Sequence, residues 1–306
     1  MRTIAHSLVG ILAATSSASA GTLYAIDSSR AISTIDMTTG AKTPVSTASV
    51  AAGTTAGLAR NHVTGVIYLT STGNDSLFTL DLASGTATLV GAYGDAAIVM
   101  HGLEWDSSTS TLYGVSSHNN GLYTINTSTG VTTLVGTSAL TSFTNLGYNS
   151  DTDVMYATNS ATPERLFTMD RATGAVTEIG LIAPSTNPNG LAYNPDNDTL
   201  YLVDNTTDVL YTLNLTTGAP TTIGSTGTGN LLGLVYVPDP PSCEGNTNGD
   251  GNVDVNDLLA VITTWGPCVG CPPVTCPGDI APFPGGDCQI DVNDLLSVIT
   301  HWGACP

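Results

Sequence analysis

The chain has 306 residues, only 10% of them charged, and its formal net charge at pH 7 is -19. Six cations in the whole chain are too few to displace counterions from nucleic-acid phosphates, so the composition excludes nucleic-acid binding and disfavours anionic membrane surfaces. The length suffices for one large β domain and a small second domain. Divalent cations and neutral glycans remain compatible with this charge.

The first 20 residues predict an export signal. Arg2 supplies a positive charge, residues 4–14 form a short apolar run, and Ala18-Ser19-Ala20 has the small residues of a cleavage site. The apolar run is too short to span a bilayer, and no later stretch is long enough. We therefore expect residues 1–20 to be removed and the protein to be secreted, extracellular or associated with a cell surface, with no transmembrane segment in the mature chain.

The following 218 residues, 21–238, contain an internal repeat. Each unit of roughly 45 residues holds four short β-rich segments separated by Gly, Asn, Asp and Ser, which is the content of one propeller blade. One segment, of the type Leu-Tyr-Thr-Leu-Asp with a glycine four residues later, recurs five times. Its Asx and Gly residues are Asp36 and Gly40, Asp81 and Gly85, Asn126 and Gly130, Asp170 and Gly174, and Asn214 and Gly218.

The two ends of the repeat array complement each other. The first unit starts at Leu23 and lacks the Gly-Leu-x-Tyr segment, which stands alone at residues 233–237. We predict an all-β fold in which this last strand completes the first blade of a five-bladed β-propeller, because closure removes free sheet edges. An open β-solenoid is the alternative, and it would not need complementary ends. The units resemble those of NHL and related extracellular propellers, a resemblance that implies the fold and leaves the function open.

Residues that recur in every blade are best explained by the repeat, the Asx residues as turn formers and the glycines by positive φ. Residues that depart from it are more informative. Glu104, on a predicted inner strand, is the only catalytic candidate, and no second carboxylate for a glycosidase pair is evident. Trp105 could stack on a sugar, although core packing is favoured. Six side chains are predicted to reach the face around the channel: Asp95, His101, His118, Glu164, Arg165 and Asp204.

A Pro-rich linker at residues 239–242 precedes a small module, residues 243–306, that contains all six cysteines. An even number of clustered cysteines in an exported chain predicts disulfides. If each half of the module is closed by its own bridge, Cys243 pairs with Cys268 and Cys276 with Cys305. Cys271 would then pair with Cys288.

Residues 246–257 match a 12-residue EF-hand loop. Oxygen side chains fall at positions 1, 3, 5, 9 and 12, with Gly251 at position 6, and an apolar helix follows. Calcium prefers six to eight hard oxygen ligands, and the glycine permits the sharp turn. We therefore predict a Ca2+ site whose ligands are Asn246, Asn248, Asp250, Asn252 (through its carbonyl), Asp254 and Asp257.

The loop and helix are duplicated, since the sequence from Asp254 to Gly266 recurs almost unchanged from Asp291 to Gly303. Two tandem loop–helix units with Asp at position 12 resemble a type I dockerin, over roughly residues 243–306. This resemblance implies calcium-dependent docking to a cohesin-like protein. The family's partner-contacting positions fall on Val255, Asn256, Val292 and Asn293.

The second loop departs from the first. Residues 279–294 are four more than the pattern requires, and Cys288 stands in place of glycine at position 6. The sequence thus predicts a second calcium site of altered geometry or lower affinity. Its ligands would be Asp279, Asp287, Gln289, Asp291 and Asp294.

Three functions fit these features. The first is a secreted, non-catalytic binding or display protein, whose propeller binds a glycan or a protein and whose module docks to a cohesin-like or cell-surface partner. The second is a carbohydrate-active propeller enzyme, a glycoside hydrolase or lyase, delivered to a polysaccharide by the same module. In the third, the module only clamps or caps the propeller.

Overall fold

The computed structural model describes residues 21–138, 142–239, 243–269, 271, 276–281 and 286–305. The predicted signal peptide and linker residues 240–242 lie outside these ranges. The described chain separates into two compact units, and the boundary between them in the sequence lies between Pro238 and Asp239. Among the described residues, no helix is long and apolar enough to cross a membrane.

The first unit is a five-bladed β-propeller, as the repeat predicts. Each blade is an antiparallel sheet of four strands. The first blade contains β1 (Thr22–Asp27), β2 (Ala31–Ile35) and β3 (Lys42–Thr47), and a 3-10 turn at Val50–Ala52 follows it. The second contains β4 (Thr55–Arg60), β5 (Ile67–Ser71), β6 (Ser76–Leu80) and β7 (Ala87–Ala92). The third contains β8 (Met100–Asp106), β9 (Thr111–Ser116), β10 (Gly121–Ile125) and β11 (Thr132–Thr137). The fourth contains β12 (Phe143–Asn149), β13 (Val154–Asn159), β14 (Arg165–Met169) and β15 (Val176–Leu181). The fifth contains β16 (Pro188–Asn194), β17 (Thr199–Asp204), β18 (Val209–Leu213) and β19 (Pro220–Ser225).

The ring closes through the last strand of the unit, β20 (Leu231–Val237). It pairs antiparallel with β1, with Leu23 opposite Tyr236 and Ala25 opposite Leu234, and so supplies the inner strand of the first blade. The predicted closure is therefore confirmed. The inner strands β4, β8, β12, β16 and β20 contact one another in turn around the centre.

Glycines let these inner strands approach each other closely. A Cβ on Gly57 would lie 2.4 Å from the His101 carbonyl oxygen, and one on Gly233 would lie 2.4 Å from the Ala56 carbonyl oxygen. In the fourth blade Asn145 takes this position, and its buried amide donates to the Thr158 hydroxyl at 2.8 Å. The channel at the centre of the propeller runs between glycines and leucines of the inner strands. Its free volume there is about 10 Å³, which is room for about one water molecule at most.

The recurrent Asx–Gly turns have the predicted structural role. Asp36, Asn126, Asp170 and Asn214 each accept backbone N–H groups two and three residues later, and Asp81 accepts the Ser84 N–H three residues later. The glycines that follow have φ between 71° and 77°, a conformation that suits glycine because it lacks a Cβ. These Asp and Asn side chains therefore serve to stabilise the turns through hydrogen bonds.

The second unit contains two short helices, α1 (Val255–Thr263) and α2 (Val292–Thr300). Asp254 and Asp291 cap them, each in a capping box with the Asp three residues later. The helices enclose a small core of Val253, Val261, Ile290 and Val298. Four two-residue strands complete it: β21 (Asn252–Val253), β22 (Gly266–Pro267), β23 (Gln289–Ile290) and β24 (Gly303–Ala304).

The two halves of this unit exchange strand partners. β21 of the first loop pairs with β24 after the second helix, whereas β22 after the first helix pairs with β23 of the second loop. Each loop is therefore held by the segment that follows the other helix.

This exchange corrects the predicted disulfides. The bridges are Cys243–Cys305, Cys268–Cys276 and Cys271–Cys288, so the predicted pairs Cys243–Cys268 and Cys276–Cys305 are wrong and only the third is right. The prediction assumed that each half is closed by its own bridge. Instead, the Cys305 N–H donates to the Gly251 carbonyl at 3.0 Å, so the end of the second half lies at the first loop.

Candidate calcium loops and docking face

The first loop is shaped by its own polar side chains. The Asn246 side-chain oxygen accepts the Gly249 N–H at 2.8 Å, and Asp250 Oδ1 accepts the Asn252 N–H at 2.9 Å. Asn248 Oδ1 accepts the Asp250 N–H at 2.9 Å. These bonds hold residues 246–252 in a tight turn.

The carboxylate at position 12 closes the loop from the helix side. Asp257 is fully buried, and its two oxygens accept the N–H groups of Thr247 at 2.7 Å and Asp254 at 2.8 Å. Burial opposes ionisation, but these amide hydrogen bonds outweigh it and lower the pKa of Asp257. The Asp257 carboxyl group is therefore ionised at neutral pH.

The donor chemistry of the first loop fits Ca2+. Asn246, Asn248, Asp250, Asp254 and Asp257 offer side-chain oxygens, three of these groups are carboxylates, and Asn252 offers a carbonyl oxygen. A bound Ca2+ would neutralise these carboxylates and stabilise the folded loop.

The second loop reproduces much of this arrangement. Asp294 is fully buried and accepts the N–H groups of Ile280 at 2.6 Å and Asp291 at 2.7 Å, as Asp257 does in the first loop. Asp279 is also buried, and its oxygens accept the N–H groups of Asp287 at 2.9 Å and Cys288 at 2.8 Å. Residues 282–285, which lie in the segment that makes this loop longer than the first, fall outside the described residues.

The two helices expose matching apolar rows, which we call the docking face. Each row follows i, i+4, i+7, i+10 spacing from the first residue of the helix to a tryptophan two residues past its end, and every side chain in it is 50–54% exposed. The docking face consists of Val255, Leu259, Ile262 and Trp265 from the first half and Val292, Leu296, Ile299 and Trp302 from the second.

The family resemblance identified only part of this face. Val255 and Val292 belong to it, and Asn256 and Asn293 lie exposed beside them. The remaining six residues could have been found from the helical spacing shared by the two halves, since one face of each helix is apolar beyond what the small core uses.

In the propeller, the Glu104 carboxyl group accepts hydrogen bonds from two backbone N–H groups. Its Oε1 accepts the Trp105 N–H at 2.8 Å and its Oε2 accepts the Tyr148 N–H of the next blade at 3.1 Å. Burial raises the pKa of Glu104 to about 8, although both amide bonds favour the ionised form. Both oxygens are thus engaged at a blade junction, and the nearest acidic neighbour in sequence, Asp106, is bound by Arg171.

Replacing Glu104 with Gln should change how stability depends on pH. Because the pKa is about 8 in the folded state and near 4.5 when unfolded, folding takes up a proton between these values, and wild type loses stability as pH rises through that window. We expect the wild-type free energy of unfolding to fall by about 2–4 kcal/mol relative to Glu104→Gln between pH 5 and pH 8. Urea unfolding at fixed calcium measures it. Glu178→Gln, at a half-exposed outer-strand site, is the control, and equal slopes for both variants would contradict the prediction.

Trp105 packs in the core, as favoured from sequence. It is 4% exposed and stacks with Tyr68, with ring centroids 6.2 Å apart. It is therefore not a sugar-stacking platform.

The six side chains predicted around the channel lie in or beside loops at the end where the inner strands begin. His101 is partly buried with Nδ1 2.8 Å from the Ser117 hydroxyl, whereas His118 is exposed. Asp204 accepts the Ser185 hydroxyl and four backbone N–H groups; burial opposes ionisation, but these bonds lower its pKa to about 2. Asp95 accepts the Ala97 N–H, Glu164 is buried beside Thr162, and Arg165 pairs with Glu178.

One charged cluster of the propeller was not predicted. Arg171 of the fourth blade binds the buried Asp106 of the third blade and also Asp153, at 2.7 Å, and it lies 5.2 Å from the centroid of the Tyr148 ring. The cluster borders a groove of about 770 Å³ between the two blades. Departures from the repeat could have revealed it. Arg171 stands where most other blades have Leu or Met, and Asp106 stands where most other blades have Asn.

Comparison with known proteins supports the repeat and the propeller. Residues 95–237 match a family described as "Repeat of unknown function (DUF6923)". That match covers less than half of the chain and confirms the repeats without assigning an activity. No curated protein shows significant similarity to the chain.

Several solved structures are similar in fold. A chain from the crystal structure of a nidogen/laminin complex is 14% identical over 70% of this chain and 97% of its own length, with a TM-score of 0.51. A protein of unknown function from Bacteroides thetaiotaomicron is 17% identical over 72% of this chain and 62% of its own length, with a TM-score of 0.53. Virginiamycin B lyase from Staphylococcus aureus gives 14% identity over 70% and 73%, with a TM-score of 0.45. At these identities the likeness extends to the fold alone.

Proposed function

We propose that this chain is a secreted, non-catalytic binding protein whose C-terminal module binds calcium and docks to a cohesin-like protein. The observation that supports this most is the docking face, with its eight apolar side chains each about half exposed. Large apolar side chains exposed in a row on a soluble domain mark interaction sites. Calcium stabilises the two helices that carry this face, and the partner positions the propeller.

The proposed role of the propeller is to bind a polysaccharide or a protein. The net charge of -19 disfavours polyanionic ligands. The enzymatic alternative has less support, because Glu104 is engaged by two backbone amides and the neighbouring carboxylate, Asp106, is bound by Arg171, whereas a glycosidase needs two carboxyl groups free to act on the substrate.

The test uses the intact mature chain and a panel of purified type I cohesin domains. We expect at least one to bind in calcium and to dissociate in excess chelator, measured by surface plasmon resonance. Leu259→Asp with Leu296→Asp should weaken this binding by at least about 100-fold, since buried anchor residues dominate interface energies.

The matched control is Leu89→Asp with Leu134→Asp. These leucines are 59% and 52% exposed on outer strands of the propeller, so the variant makes the same chemical change away from the docking face. Binding that persists in chelator, or that the two double variants weaken equally, would contradict the proposal. Calcium binding without any cohesin binding would favour a module that only clamps or caps the propeller.

A further inference from the structure

Two grooves of the propeller lie at equivalent positions of the repeat. The 3–4 groove, between the third and fourth blades, has a volume of about 770 Å³, and the 1–2 groove, between the first and second blades, about 660 Å³. Volumes of this size are typical of ligand sites. Repeat-equivalent residues line both grooves: Tyr113 and Tyr24, Met155 and Ile67, Met169 and Leu80, and Ala172 and Ala83. The repeat therefore forms both grooves in the same way.

The chemistry of the two grooves differs at three of these equivalent positions. In the 3–4 groove all three positions are charged, with Asp106, Asp153 and Arg171. In the 1–2 groove the same positions carry uncharged residues: Val237, Gly65 and Leu82. The charged cluster was therefore added to a groove that the repeat already supplies.

The junction between two blades does not require these charges. Asp106 is fully buried, and removing a carboxylate from water costs free energy that its pairing with Arg171 must offset. The 1–2 groove shows that the same junction forms with Val237 and Leu82 instead. Charges at a site that the fold can build without them indicate a role in binding.

The charges of the 3–4 groove favour a neutral ligand. Arg171 donates to Asp106, to Ser108 Oγ at 3.2 Å and to Asp153 Oδ1 at 2.7 Å, so both of its terminal nitrogens are already engaged. With Asp170, the lining contains three carboxylates and one guanidinium, which disfavours an anion. The guanidinium among these carboxylates disfavours a Lys or Arg side chain of a partner.

The groups that remain accessible suit a sugar. The Asp153 side chain is 60% exposed, and a carboxylate can accept hydrogen bonds from several hydroxyl groups. The apolar side chains of Met155, Met169 and Ala172 also line the groove. A sugar ring presents hydroxyl groups at its edge and C–H groups on its faces, so it can use both kinds of contact.

We propose that the 3–4 groove binds a neutral oligosaccharide. Asp153 accepts hydroxyl groups of the sugar, Arg171 holds Asp153 in position, and the apolar lining contacts the C–H groups of the ring. This inference rests on the proposed role of the propeller in binding, and it adds the site and the chemical class of the ligand.

The test titrates the intact mature chain, by calorimetry, with neutral hexasaccharides of β-1,4-linked glucose, xylose or mannose. We expect at least one of them to bind. Ala172→Trp should weaken this binding by at least about tenfold, because the indole would occupy the 3–4 groove. Ala83→Trp makes the same change at the equivalent exposed position of the 1–2 groove. This control should bind within about twofold of wild type.

Asp153→Gly tests the chemistry of the groove. Residue 153 has φ 58°, which glycine adopts readily, and Gly65 stands at the equivalent position of the 1–2 groove. Loss of the carboxylate should weaken saccharide binding by about tenfold while the β-sheet circular dichroism stays native. If Ala172→Trp fails to fold, this variant still decides, since unchanged binding would overturn the inference.

Two other results would also overturn the inference. One is that none of the three saccharides binds, including the case in which a Lys-rich peptide binds instead and assigns the groove to a basic protein. The other is that Ala172→Trp and Ala83→Trp weaken binding equally. Calcium-dependent cohesin binding, measured on the same samples, reports the proposed docking separately, so the two proposals can fail independently.

Discussion

Loss of β20 is expected to abolish the cooperative fold of the propeller. A chain of residues 21–238 should retain native β-sheet circular dichroism and one sharp thermal transition, whereas residues 21–230 should lose both. The missing strand buries Leu231, Leu234, Val235 and Tyr236, at about 1.5–3 kcal/mol for each large apolar side chain. Their sum is comparable with the whole stability of a typical domain, about 5–15 kcal/mol.

The loss should be specific to closure. Without β20 the edge of β1 is unpaired, and the core cluster that contains Leu23 and Ala25 loses its cover. A synthetic peptide of residues 231–238 should therefore restore the transition when added in excess to residues 21–230. Superimposable melting curves for the two chains would show that the propeller is stable with an incomplete first blade, contrary to this expectation.

The architecture was predictable because it repeats. A repeat of roughly 45 residues with complementary ends is compatible with few architectures. The isolated Gly233-Leu-Val-Tyr segment predicted the pairing of β20 with β1, which is observed. The recurrent Asx–Gly turns were equally readable, since side chain and acceptor are only a few residues apart. Because the same Asx–Gly turn occurs in all five blades, its structural role could be predicted from the sequence.

Contacts between distant segments were not predictable in the same way. Asp106 and Arg171 are 65 residues apart in neighbouring blades, and each is a single departure from the repeat. The docking face was foreseen at Val255 and Val292 only. Which apolar side chains of a helix enter the core depends on the partner helix, and here Val261 and Val298 are buried while Leu259 and Leu296 are not.

The disulfide pairing also depends on contacts between distant segments, and it was predicted wrongly for two of the three bridges. Removing one of these bridges has the second large expected effect. Cys243→Ala/Cys305→Ala opens a bridge between residues 62 apart, whereas Cys268→Ala/Cys276→Ala opens one between residues only 8 apart. Loop-closure entropy predicts losses of about 4 kcal/mol and about 2.5 kcal/mol in the stability of the module. Urea unfolding at fixed calcium in a Trp105→Phe background measures them, because the two remaining tryptophans, Trp265 and Trp302, lie in the module.

Thiol titration of the same variants tests the pairing itself. With the observed bridges, Cys243→Ala/Cys305→Ala removes both halves of one disulfide and leaves no free thiol. Had each half of the module been closed by its own bridge, the same change would break two disulfides and free Cys268 and Cys276. Two reactive thiols per chain would therefore contradict the exchanged arrangement, and none would support it. Because β21 and β24 pair across the halves, this bridge ties the first loop to the segment after the second helix, so its loss should also weaken the calcium binding that we propose for the first loop.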